Sequence, residues 1–71
     1  MISIEVIGRD GRGLANADVQ ISWSNWTHST GRTDRNGYVS WDVSSGSGTI
    51  YVNRDKVYDG YIDGSLRIHA G

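Results

Sequence analysis

Thr33-Asp34-Arg35-Asn36-Gly37-Tyr38-Val39-Ser40-Trp41-Asp42-Val43 is a polar turn that runs directly into an alternating strand. Asp34 and Asn36 can hydrogen-bond their own backbone two residues on, and Gly37 can take the positive φ of a tight reversal. Beyond the turn, Val39, Trp41 and Val43 fall on one face at period two, with Tyr38, Ser40 and Asp42 on the other. Turn followed by strand, with no helical period, sets the reading of the segments on either side.

Upstream, Trp26 to Arg32 reads as a polar edge strand rich in Ser, Thr and His, entered through a short reversal at Ser24-Asn25. Before it, Val19, Ile21 and Trp23 alternate with Asp18, Gln20, Ser22 and Ser24, the pattern of a sheet with one face on a core and one in water. Leu14 and Ala17 can plug the end of a sandwich after the glycine-rich loop Gly8-Arg9-Asp10-Gly11-Arg12-Gly13. The first strand is Ile2 to Ile7, with Ile2, Ile4 and Val6 inward.

Downstream, Ser44-Ser45-Gly46-Ser47-Gly48 reads as a loop and Thr49 to Val52 as a strand with Ile50 and Val52 inward. Asn53 to Lys56 turns the chain into a short strand at Val57-Tyr58. Asp59-Gly60 and Asp63-Gly64 are two further turn signals, and Leu66, Ile68 and Ala70 mark a last strand. Turn signals recur about every eight to twelve residues, which predicts an all-β sandwich of about seven strands in a small Greek-key arrangement.

The length of 71 residues allows one domain, 1–71, and only a thin core. The chain has no cysteine and no proline, so neither disulfides nor stiffened loops support that core. Seven basic and eight acidic side chains are scattered without a run of one sign, which argues against nucleic acid as a partner. No apolar run approaches the roughly 20 residues of a membrane-spanning helix. Met1 to Glu5 lacks the regions of a signal peptide, so the expectation is a cytoplasmic protein or a domain excised from a longer, extracellular parent.

The runs Gly11 to Val19, Thr33 to Trp41 and Gly48 to Val52 together resemble the carboxypeptidase regulatory-like domains, prealbumin-like (transthyretin-like) sandwiches close to bacterial immunoglobulin-like repeats. The resemblance spans Ile2 to about Ala70, and its most recognisable motif, Thr-Asp-x-x-Gly, is matched at Thr33, Asp34 and Gly37. Gly13 stands where that family usually has proline. The resemblance implies an accessory, spacing or binding module without catalytic residues. The related hydroxyisourate hydrolases end in Tyr-Arg-Gly-Ser, whereas this chain ends Arg67-Ile68-His69-Ala70-Gly71.

Three Trp and four Tyr in so short a chain suggest ligand contacts. Trp23 and Trp41 fall in register with core positions. Trp26, Tyr38, Tyr51, Tyr58 and Tyr61 remain as candidate ligand-binding residues, for carbohydrate or for a protein surface. Tyr38 and Tyr51 would share a face only if their strands pair in one sheet. The thin core and the spare aromatics also suggest self-association or a protein partner. Asp34-x-Asn36-Gly37 resembles the start of a calcium loop but lacks the later bidentate Glu, since Glu5 is the sole glutamate. Asp55, Asp59 and Asp63 recur every four residues, as on a helix face, but the glycines beside Asp59 and Asp63 argue for turns. No metal or cofactor is expected. His28 and His69 fall at solvated positions with no nucleophile elbow or phosphate loop nearby, so the expectation is a non-enzyme.

Overall fold

β-Branched residues at every second position build the three strands that run through the middle of the molecule. The computed structural model describes residues 1–70 and has seven strands: β1 (Ile2–Ile7), β2 (Asp18–Trp23), β3 (His28–Arg32), β4 (Tyr38–Trp41), β5 (Gly46–Val52), β6 (Asp55–Ile62) and β7 (Ser65–His69). They form a three-stranded sheet, β4-β1-β7, and a four-stranded sheet, β3-β2-β5-β6. The protein is an all-β sandwich. β1 and β7 pair in parallel and every other neighbouring pair is antiparallel. The chain changes sheet after β1, β3, β4 and β6, which leaves β2–β3 and β5–β6 as its hairpins. No helix among the described residues is long and apolar enough to cross a membrane.

The central strands carry the core. Ile2, Ile4 and Val6 of β1 face Val19 and Ile21 of β2 and Ile50 and Val52 of β5, and Ile62 and Ile68 close the cluster from β6 and β7. Each such side chain contributes about 1.5–3 kcal/mol when fully buried. The edge strand β3 instead turns Ser29 and Gly31 inward, because two indoles fill the space above them. Trp23 Nε1 donates to Ser29 Oγ at 2.9 Å. Trp41 Nε1 donates to the Thr30 carbonyl at 3.0 Å, and a methyl group on Gly31 would stand 3.0 Å from the Val39 side chain and 3.5 Å from the Trp41 ring. Trp41 is thus half-buried at the seam between β3 and β4 and does not reach the middle of the core.

Several boundaries differ from the sequence reading. β4 ends at Trp41, short of Val43. β5 begins at Gly46, so most of the expected Ser44–Gly48 loop is strand, with Gly46, Ser47 and Gly48 paired to Ile62, Tyr61 and Gly60. Gly48 serves close packing, since a Cβ there would lie 2.9 Å from the Ser22 carbonyl oxygen, whereas one on Gly46 would make an ordinary contact, 3.6 Å from the Trp23 ring. Asp59-Gly60 is likewise inside β6, where the Tyr58 ring covers Gly60 as a side chain would. Trp26 belongs to the β2–β3 turn, and β3 starts at His28.

At one end of the sandwich the two long crossings are locked together. The Thr33 hydroxyl accepts the Ala17 amide at 2.8 Å and donates to the Leu14 carbonyl. Val6 donates its amide to the Gly37 carbonyl, and its own carbonyl accepts the Leu14 amide, each at 2.8 Å. Gly13 presses directly on this turn: a Cβ there would be 1.9 Å from the Asn36 carbonyl oxygen. Gly37, at φ 86°, would bring a Cβ to 2.6 Å from the Val6 oxygen. Proline at position 13 would carry the same Cβ, so glycine here reflects the close approach of two backbones.

Asp34 Oδ1 accepts the amides of Asn36 at 2.8 Å and Tyr38 at 3.0 Å. These two bonds, the Tyr38 one foremost, hold its carboxyl below the ordinary aspartate value of 3.8.

Gly13→Ala is expected to destabilise the protein by about 2–4 kcal/mol, more than a surface Gly11→Ala, with urea unfolding midpoints as the measure. The Asp34 carboxylate favours folding above pH 3.8, and that contribution disappears as pH falls through its lower folded-state value. Melting curves of Asp34→Asn and the parent should therefore differ at neutral pH and converge in acid.

Candidate functional site

Alternation and register place one polar row across the outer face of the four-stranded sheet. Ser22 on β2 stands opposite His28 on β3 and, on its other side, opposite Thr49 on β5. Thr49 in turn stands opposite Asp59 on β6 and donates to its Oδ1 at 3.3 Å. The next row toward the β2–β3 hairpin sets Ser47 opposite Tyr61. Together with Ser24 and Trp26, the residues of the first row line an open-sided groove of about 530 Å³. A second cleft, of about 470 Å³, lies on the other flank of the same hairpin and is lined by Ser29, Ser44, Ser45 and Trp23.

The hairpin between these two hollows has a three-residue loop, Ser24-Asn25-Trp26. Trp26 donates its amide to the Trp23 carbonyl at 3.1 Å, and Trp23 donates to the Thr27 carbonyl at 2.9 Å. Asn25 Oδ1 accepts from the Thr27 hydroxyl at 2.6 Å and fixes the turn. Such loops end in a left-handed residue, ordinarily glycine. Here that residue is Trp26, at φ 72° and 92% exposed. A bulky residue in that region is strained by about 1–3 kcal/mol. Because the ring is nearly all in water, burial does not offset the strain.

The sequence candidates separate in space. Trp26 and Tyr61, which is 60% exposed, lie at the same end of this outer face. Half-buried Tyr51 shares the face farther along β5, between Gln20 and Lys56. Tyr58 opposes the buried Ile50 and packs against the core edge, its hydroxyl donating to the Tyr61 carbonyl at 2.7 Å. Tyr38 lies on the three-stranded sheet beside Glu5, so Tyr38 and Tyr51 are in different sheets and share no face. Glu5 there pairs with Arg67 at 3.0 Å.

Of the groove residues, Ser22, His28 and Thr49 read as outward polar strand positions and Asp59 as part of a turn; cross-strand register brings all four into one row. His28 and Asp59 are three strand spacings apart, roughly 14 Å, too far for a hydrogen-bonded relay through one serine. Among the described residues no three His, Asp or Glu side chains converge on a point that could hold a metal ion. The Asp34 carboxylate is taken up by the turn amides. What the groove offers is hydroxyls, an imidazole and a carboxylate beside an exposed indole. No protein-family model matches the chain, and no curated protein matches it.

Trp26→Gly is expected to raise the melting temperature by a few degrees, on the scale of about 1 kcal/mol, since it relieves strain and gives up little burial. Arg54, at φ 74° in the two-residue β5–β6 turn, occupies a comparable position away from the groove. Arg54→Gly should give a similar gain, and calorimetry on both variants checks the pair.

Proposed function

We propose that the protein is a non-catalytic recognition module of the carboxypeptidase regulatory-like, prealbumin-like kind. In this reading it binds its partner through the outer face of the four-stranded sheet around Trp26. Support for the family reading comes from the seven-stranded two-sheet architecture and from the Thr33-Asp34-x-x-Gly37 turn, which leads into β4 as the resemblance implies.

The recognition surface rests on one observation: a tryptophan held at positive φ and almost fully exposed, where glycine would be easier. Strain retained at an exposed aromatic has no role in folding, and aromatic rings with a polar edge are favoured binding anchors. The hydroxyl, imidazole and carboxylate groups in the adjoining groove supply directional contacts.

A ¹H–¹⁵N screen with a set of small polar and aromatic fragments tests this reading. Perturbed amides are expected to cluster at Ser22, Trp26, His28 and Thr49. Clustering on the three-stranded sheet, or no cluster, would overturn it.

A further inference from the structure

The geometry points to an oligosaccharide as the ligand of the Trp26 groove, lying across the strands with Trp26 under one ring and Tyr61 under another. This rests on the recognition surface proposed above and names the class of molecule it takes. Four observations carry it.

The floor is polar and mixed in character. Ser22 and Thr49 provide hydroxyls that both donate and accept, Asp59 provides a carboxylate acceptor, and His28 provides a ring nitrogen. Alternating donors and acceptors suit a polyhydroxylated ligand. The Asp59 carboxylate, already positioned by Thr49 at 3.3 Å, has a second oxygen that can accept from a hydroxyl of the ligand.

The charge excludes anionic ligands. Among the described residues no lysine or arginine lines the groove, and its one carboxylate would repel phosphate or sulfate.

The aromatic rings lie at its margin. Trp26 stands at the β2–β3 tip, and Tyr61 projects from β6 in the row next to Asp59, opposite Ser47 on the groove wall. The two are separated by two to three strand spacings, roughly 10–14 Å. That span exceeds a single sugar ring and fits a short chain, in which the carbon-bound hydrogens of a ring face lie on an aromatic face.

The groove is open-sided, with Trp26 92% exposed. A small compact ligand would leave most of its surface in water there, whereas an extended chain can enter and leave at both ends.

The test uses the full chain titrated with cellotetraose, maltotetraose and chitotetraose at millimolar concentration, followed by ¹H–¹⁵N spectra. At least one is expected to shift the Trp26 indole N–H together with the Thr49 and Asp59 amides. Trp26→Gly, which should remain folded, is expected to weaken that binding about tenfold or more. Tyr61→Ala should weaken the tetrasaccharide several-fold and leave the matching disaccharide unchanged, a difference that general destabilisation would not produce. If no tetrasaccharide moves these signals while the fragment set still clusters at the groove, the sugar assignment falls and the recognition surface stands. If sugars and fragments alike leave the groove silent, both fall.

Discussion

The contact on which the sandwich depends is the meeting of two backbones, Gly13 against Asn36 and Gly37. It leaves no room for a side chain, since a Cβ on Gly13 would overlap the Asn36 carbonyl. Around it, the Thr33 hydroxyl and the Val6 peptide unit tie the β1–β2 crossing to the β3–β4 turn. Both segments carry the chain from one sheet to the other, so fixing them together sets how the sheets face each other. In a chain without disulfides or proline, this hydrogen-bonded lock replaces covalent and steric constraints.

The core follows from that alignment. Isoleucine and valine on β1, β2 and β5 interleave, and the indoles of Trp23 and Trp41 fill the side where β3 presents serine and glycine. Each indole N–H finds an acceptor on β3, so the aromatic volume enters the interior without an unsatisfied donor. The polar look of β3 is therefore compatible with a closed sandwich: bulk comes from neighbouring strands and β3 supplies the room and the acceptors.

Trp26, the anchor of the proposed recognition surface, is treated differently from the other two tryptophans. Two tryptophans have indoles held by hydrogen bonds and packing, while the third sits in a hydrogen-bonded turn at positive φ with its ring in water. Arg54 carries comparable strain in the β5–β6 turn; Trp26 differs in joining that strain to an almost fully exposed indole on the lip of a groove. The hydroxyls and carboxylate beside it sit on regular strands, a stiffer base than loops would give.

Strand alternation was readable in the sequence because period two depends only on neighbours in the chain: Ile2, Ile4 and Val6, or Val19, Ile21 and Trp23, declare their faces unaided. The turn at Asp34 to Gly37 was readable for the same reason, its bonds closing within four residues. Gly46, Gly48 and Gly60 misled, because glycine marks a flexible turn and also sits within strands: at Gly60 the backbone takes a φ of 154°, and at Gly48 the Ser22 backbone, distant in sequence, leaves no room for a side chain. The groove was hidden for that reason too. Ser22, His28, Thr49 and Asp59 are unremarkable polar positions on four strands, and long-range pairing register alone makes them neighbours. Local periodicity thus determined that this chain forms a β-sandwich. Tertiary structure decided which polar residues meet and which tryptophan remains in water, because both are set by contacts between segments distant in the chain.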